Sequence, residues 1–341
     1  MMRVVQAMAG AATGGAEAFF MRLVPALSEV GVEQAAIIRS HTQRAEELAL
    51  AGIATRQLRF GGPLDLVSRV GYAQAIRQAD PDIVMTWMSR ASGRCPAGRH
   101  VQIGRLGGFY DLKYYRRCKH LVGNTQGIVD YIVGQGWPAD RAHMISNFVD
   151  TGFAVPIPRE DLDTPADVPL LLAMGRLHPN KAFEVLIDAL VDVPEAWLWL
   201  AGNGPLDKLL RSHARDCGVL DRIRFLGWRD DIGSLLASAD ILVCPSRHEP
   251  LGNVILEGWA RSVPVVAAAS QGPSELIVDG ETGLLARVDD AIELAEKINQ
   301  ALGDQTAASA MTERALADYE ARFSKQAIVG QFRALFEQVT G

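Results

Sequence analysis

The chain has 341 residues, 48% hydrophobic and 22% charged, enough for two ordinary domains with cores of their own. Its formal net charge is −6, but residues 1–150 hold 17 of the 34 Lys and Arg and 12 of the 40 Asp and Glu, leaving +5 there and −11 on the remainder. An acidic chain without a nucleic-acid motif argues against a nucleic-acid partner, and the lack of any apolar run near ~18 residues argues against a membrane span.

The opening MMRVVQAMAGAATGG has neither the basic start nor the uninterrupted apolar run of a secretory signal, so a cytoplasmic protein is expected. Short apolar runs then alternate with helical-period segments, the pattern of βαβ units around parallel sheets covered on both faces. Strands are expected near Arg3–Met8, Gln34–Ile38, Arg56–Arg59, Ile83–Thr86, His100–Ile103, His120–Val122 and His143–Ile145. Helices fill the gaps, clearest at Ala16–Val30, Leu64–Gln78 and Gln126–Gln135. Asn147–Pro169 carries Pro156, Pro158, Pro165 and Pro169, several acids and no periodicity, and reads as a linker.

Beyond it, strands are expected near Leu170–Met174, Trp197–Ala201, Ile223–Phe225, Ile241–Val243, Val265–Ala267 and Gly283–Ala286. After Asp289 the pattern turns purely helical, at Ala291–Leu302, Thr306–Phe323 and Lys325–Val339, and the last helix can pack back on the first domain. The expected fold is α/β, with two Rossmann-like doubly wound domains at residues 1–150 and 165–324 and a returning helix near 325–341. Such domains facing a cleft bind ligands at the carboxyl ends of their strands. Cys95, Cys118, Cys217 and Cys244 stand far apart, with no C-x-x-C and no His read at ligand spacing, so they read as reduced, mostly buried thiols rather than a zinc site or disulfide framework.

The most informative stretch is Ile241-Leu-Val-Cys-Pro-Ser-Arg-His-Glu-Pro-Leu-Gly-Asn-Val-Ile-Leu-Glu-Gly-Trp-Ala260. A buried strand ends near Pro245, a loop carries Glu249, and a helix is expected from near Leu251 through Glu257. Free amides at that helix start, with Gly252 permitting close approach, suit a diphosphate. Glu249 and Glu257 are eight residues apart, up to ~12 Å along a helix axis, so one can reach a sugar and the other a ribose across that diphosphate. Surface glutamates at this spacing are common, but Glu257 sits among Val254, Ile255, Leu256 and Trp259, where an unpaired acid is costly.

This segment resembles the E-x7-E motif of the retaining nucleotide-sugar glycosyltransferases known as glycosyltransferase group 1, whose two-domain fold is called GT-B. Leu172-Ala-Met-Gly-Arg-Leu-His-Pro-Asn-Lys181 resembles the family's strand-G-R-L-x-x-x-K element, and Ala201-Gly-Asn-Gly-Pro205, Phe225-Leu-Gly-Trp228 and Gly280-Glu-Thr-Gly-Leu284 resemble its turns. The resemblance implies Arg176, Lys181 and Glu249 as catalytic groups and a donor site of Gly14, Gly15, Gly175, Gly202, Asn203, Trp228, Leu251, Gly252, Asn253, Val254 and Glu257. Two fixed cations at Arg176 and Lys181 can neutralise the charge that gathers on a departing diphosphate, without a metal. No D-x-D motif stands where it would serve: Asp161-Leu-Asp163 lies in the linker, and Asp230-Asp231 heads a helix, where capping is the simpler reading. No metal or other cofactor is expected.

Met8-Ala-Gly-Ala-Ala-Thr-Gly-Gly-Ala-Glu17 departs from G-x-G-x-x-G and is weak alone, but it resembles the family's glycine loop, which approaches the donor phosphates. Asn147-Phe-Val-Asp150 resembles the family's N-G-V-D junction, with Phe148 in place of Gly. Where many relatives carry a histidine after the fourth strand, this chain has Met85 and Trp87; His100 and His178 are the substitutes by position, against a structural role for each. Residues 94–120 combine Arg94, Arg99, Arg105, Lys113, Arg116, Arg117 and Lys119 with Phe109, Tyr110, Tyr114 and Tyr115 against one acid, Asp111. Arg105, Lys113, Arg116 and Arg117 are therefore acceptor candidates for a saccharide or anionic glycolipid, with peripheral contact at an acidic membrane face, and the bland alternative is a solvated surface.

Within the same fold, a nucleotide-sugar epimerase would show further acids and histidines in place of G-R-x4-K. A non-catalytic sugar-nucleotide module would have no need of Arg176, Lys181, Glu249 and Glu257 together. A dinucleotide-dependent dehydrogenase would carry G-x-G-x-x-G with an acid ~20 residues on.

Overall fold

The structure, a computed structural model, describes residues 2–12, 14–62 and 64–341. It divides into two units, Met1–Phe148 with Ser324–Gly341, and Val149–Phe323. The first contains β1 (Arg3–Met8), α1 (Gly15–Glu29), β2 (Glu33–Arg39), α2 (Thr42–Leu50), β3 (Ala54–Leu58), α3 (Leu66–Ala79), β4 (Ile83–Trp87), α4 (Met88–Arg94), β5 (Val101–Leu106), β6 (His120–Gly123), α5 (Gln126–Gly134) and β7 (Ala142–Met144). The strands form one parallel sheet in the order β3-β2-β1-β4-β5-β6-β7. β1 and β4 meet at its centre, where helices cover both faces, and their near-continuous apolar sequences are the consequence. Side chains start the helices: Asp65 accepts from the Ser68 amide ahead of α3, and Thr125 from the Ile128 amide ahead of α5.

The second unit contains β8 (Leu170–Met174), α6 (Phe183–Ala189), β9 (Trp197–Ala201), α7 (Asp207–Asp216), β10 (Ile223–Gly227), α8 (Ile232–Ser238), β11 (Ile241–Cys244), α9 (Asn253–Trp259), β12 (Val265–Ala268), α10 (Gln271–Leu276), β13 (Leu284–Ala286), α11 (Ala291–Gly303) and α12 (Gln305–Arg322). Its sheet is also parallel, in the order β10-β9-β8-β11-β12-β13. The last helix, α13 (Lys325–Thr340), belongs to the first unit. There it buries Ile328, Val329, Phe332, Leu335 and Phe336 in the core with Phe19, Phe20 and Leu23 of α1, and Lys325 pairs with Glu29.

Three local expectations are corrected. The proline-rich stretch after Phe148 is fastened to the second unit: Arg159 donates to the carbonyls of Val168 and Ser238 and pairs with Asp240, and Thr164 receives the Trp199 indole N–H. Asp230 and Asp231 do not cap α8, because Asp230 accepts from the Trp228 indole and Asp231 pairs with Arg229. The helix of the E-x7-E segment starts at Asn253 rather than near Leu251, since Gly252 takes a left-handed conformation at φ +92°.

Candidate active site

The second sheet reverses its strand order between β8 and β11, the position where open parallel sheets present a crevice at their carboxyl ends. The loops after β8 and β9 are locked together there. Gly175 donates to the Ala201 carbonyl at 2.9 Å, Leu177 to the Asn203 carbonyl at 3.0 Å, and Gly202 to the Gly227 carbonyl at 2.7 Å. Gly202 has φ +143°, and a Cβ on it would stand 1.8 Å from the Gly175 carbonyl oxygen, so only glycine permits the approach. This stack of turns holds Arg176 out, exposed and without a polar partner among the described residues. Lys181 closes a single 3-10 turn, Pro179–Lys181, that His178 caps by accepting from the Asn180 amide at 3.3 Å.

Lys181 forms an ion pair with Glu249, which follows β11; their side chains are 22% and 13% exposed, so the pair is mostly withdrawn from water. Burial is the largest influence on the Lys181 ammonium and pulls its pKa down, but the charges of Glu249, Cys244 and Glu257 and the Glu249 hydrogen bond together outweigh it and leave the pKa above the usual value. The lysine therefore stays charged at neutral pH, and both glutamates of the motif act on it.

The Glu249 loop is held from several sides. His248 donates its amide to Asn180, Gly272 donates to the Glu249 carbonyl at 2.8 Å, and Arg247 pairs with Glu184 and Asp289 while donating to the Pro179 carbonyl. A Cβ on Gly272 would lie 2.3 Å from the Leu251 carbonyl oxygen, so this contact too requires glycine. Arg247 escaped the sequence reading: its place two residues before Glu249 is a signal, but its partners at Glu184 and Asp289 are remote in sequence.

The remaining donor-site candidates divide. Leu251 and Gly252 are buried, Asn253, Val254 and Glu257 are half-buried along α9, and the Ile255 and Leu256 amides turn back to the Gly252 carbonyl. Trp228 stands 63% exposed after β10, next to the glycine that receives Gly202.

In the first unit the order reverses between β1 and β4. The loop after β1 wraps a buried carboxylate: Glu17 accepts from the Ala11 amide at 2.6 Å, and ideal Cβ atoms on Gly10 and Gly14 would fall 2.2 and 2.4 Å from its oxygens. Arg44 holds the outside through the carbonyls of Ala11 and Ala12. Gly14 precedes α1 and Gly15 opens it, whereas Thr13 lies outside the described residues.

Arg105 is not a surface group, and its place among the acceptor candidates is corrected. It is 3% exposed at the end of β5, its guanidinium 4.6 Å from the Phe19 ring centroid and 4.8 Å from that of Trp87, and it donates to Asn147. Burial draws its pKa down to about 9. Lys113 pairs with Asp111, Arg117 donates to the Cys95 carbonyl, and both are exposed, as is Arg116. Phe148, in the place of the family glycine, packs edge-on against Phe19 at 5.4 Å. His100 precedes β5, at the opposite end of the strand from the loops that form such sites, while His178 lies in the Arg176 loop.

Comparison with known proteins assigns the architecture. The model for "Glycosyl transferases group 1" matches residues 156–318, and that for "Glycosyltransferase Family 4" matches residues 13–153. The chain is 39% identical to the lipopolysaccharide core biosynthesis glycosyltransferase LpsE of Rhizobium meliloti, over 94% of this chain and 95% of that protein. It belongs to the group 1 glycosyltransferases. LpsD of the same organism, also a lipopolysaccharide core biosynthesis glycosyltransferase, is 34% identical over 95% of both chains. Among solved structures, Anabaena HepE in complex with UDP matches with a TM-score of 0.86 and 22% identity over 99% of this chain and 100% of that one, which establishes the GT-B fold. In this glycosyltransferase no described helix is long and apolar enough to cross a membrane.

Proposed function

We propose that the glycosyltransferase moves a sugar from a nucleotide-diphosphate donor to a saccharide or glycolipid acceptor in lipopolysaccharide core synthesis, with retention of anomeric configuration and without a metal. The observation that carries this reading is the Lys181–Glu249 ion pair at the β8–β11 reversal, packed against Gly175 next to Arg176 in the chain. As the bond from anomeric carbon to diphosphate oxygen breaks, negative charge gathers on the leaving group. A half-buried lysine that stays charged at neutral pH and an exposed arginine without a polar partner among the described residues are suited to neutralise it with little reorganisation. The Glu249 carboxylate positions the Lys181 ammonium by their ion pair, and Glu249 is assigned to the donor sugar. Glu257, farther along α9, is assigned to the ribose. The acceptor hydroxyl enters on the face from which the diphosphate departs, a phosphate oxygen takes its proton, and the new bond keeps the configuration of the old.

The names of LpsE and LpsD support a lipopolysaccharide acceptor. The exposed Lys113, Arg116 and Arg117 suit an anionic glycolipid, held peripherally at the inner membrane face of the cytoplasm; no nucleic acid is involved. A nucleotide-sugar panel screened by thermal shift identifies the donor, because a ligand bound only by the folded state raises Tm. Transfer with that donor is then followed by proton NMR with and without EDTA. Retained configuration and undiminished turnover in EDTA are expected; an inverted product, or activity abolished by EDTA and restored by a divalent cation, refutes the mechanism.

A further inference from the structure

His213 and Cys217 lie four residues apart, one turn of α7, an i,i+4 relation that the sequence reading passed over, and α6 brings Asp188 against them. His213 Nε2 is 2.7 Å from Asp188 Oδ1, and Cys217 Sγ is 3.5 Å from that oxygen and 3.8 Å from His213 Nε2. One ligand atom from each thus lies within 4.8 Å of the others, and all three residues are half-buried. Tetrahedral zinc with Zn–S of about 2.3 Å and Zn–N and Zn–O of about 2.0–2.2 Å separates its ligand atoms by roughly 3.3–3.7 Å. The two sulfur separations are close to that range, and the nitrogen–oxygen one reaches it by opening less than ~1 Å, within the freedom of partly exposed side chains.

The surroundings suit a cation: Asp216 adjoins Cys217 in the chain, and the group sits at the carboxyl end of α7, where the helix dipole favours positive charge. We propose that Asp188, His213 and Cys217 bind one zinc-class divalent ion, with water in the fourth position, and that the ion clips α6 to α7. Uptake exchanges the Cys217 thiol proton for the metal and releases that proton to solvent. The site lies at the carboxyl ends of these helices, whereas Lys181 precedes the amino end of α6, so the ion stabilises the second unit and takes no part in transfer.

The test strips the full-length protein with EDTA, desalts it, and titrates it with zinc against a chromophoric chelator and with cobalt by absorbance. The parent is expected to bind one equivalent per chain, to show the thiolate-to-cobalt charge-transfer band, and to melt higher when loaded. Cys217→Ala and His213→Gln should each weaken binding by more than about 100-fold, beyond the 10- to 100-fold cost of deleting an outer-shell partner, and remove the band while leaving turnover unchanged. Asp188→Asn, read by the same titration, replaces either variant if its metal-free form is unfolded. Failure of the parent to take up a stoichiometric ion, or a cobalt band that persists in Cys217→Ala, overturns the proposal.

Discussion

The two sheets reverse strand order in the same way, between β1 and β4 and between β8 and β11, yet they place charge differently at the reversal. In the second unit Lys181 pairs with Glu249, and Arg176 is exposed and without a polar partner among the described residues. In the first, Arg105 is enclosed by Phe19 and Trp87 with Asn147 as hydrogen-bond partner, and Glu17, in the first turn of α1, holds the backbone of the loop before it. One topology thus carries a paired and an exposed cation in one unit and an enclosed arginine in the other. The difference rests on whether the charges after the central strands can still reach a ligand.

The largest expected effect is on turnover at the second reversal. Arg176→Ala removes a cation proposed to neutralise the departing diphosphate and without a polar partner among the described residues, so kcat should fall roughly 10²- to 10³-fold with Tm unchanged. Next are the glycines that build the two loops. Gly202→Ala forces a Cβ against the Gly175 carbonyl at a φ that side chains rarely adopt, and should cost upwards of about 2 kcal/mol in a denaturant melt. Gly14→Ala meets only the tip of the Glu17 side chain and should cost less; equal losses would dissolve the distinction between the loops.

Smaller still is the change at Arg105. The cation–π contacts, worth about 1–2 kcal/mol each when desolvated, oppose the burial of a charge that lacks an acidic partner among the described residues. Arg105→Met should therefore shift stability by less than ~2 kcal/mol and leave donor affinity unchanged; a large loss of donor binding would make Arg105 part of the site.

The smallest effect is a pH dependence at α3. Hydrogen bonds from the Ser68 hydroxyl and amide and the Gly61 amide hold the half-buried Asp65 carboxyl at about 2, below its unfolded value near 3.8. Its contribution is fully present above the unfolded pKa and is lost as pH falls through the folded one. The Tm difference between parent and Asp65→Asn should accordingly shrink between about pH 4 and pH 2.

The strands were legible because a parallel sheet covered on both faces demands continuous apolar runs, and Leu170–Met174 and Trp197–Ala201 carry no competing signal. Lys181 and Glu249 were legible through motif resemblance, although 68 residues separate them. What escaped depends on neighbours remote in sequence. The sequence around Arg105 reads as a basic, aromatic surface, whereas Phe19, Trp87 and Asn147, remote in sequence, close over it. Arg247 likewise takes its role from Glu184 and Asp289, and the His213–Cys217 pair gains meaning only when α6 supplies Asp188. The start of α9 moved because one glycine dihedral decides it.

The most direct test of the central claim is the single-turnover transfer rate of Lys181→Ala, measured with saturating donor beside the affinity of the same protein for the free nucleotide. If Lys181 stabilises the departing diphosphate, the rate falls about 10²- to 10³-fold while nucleotide affinity falls by much less, since the ammonium matters most where charge develops. A variant that transfers at the parent rate, or that loses nucleotide affinity by the whole of the loss in transfer, contradicts it.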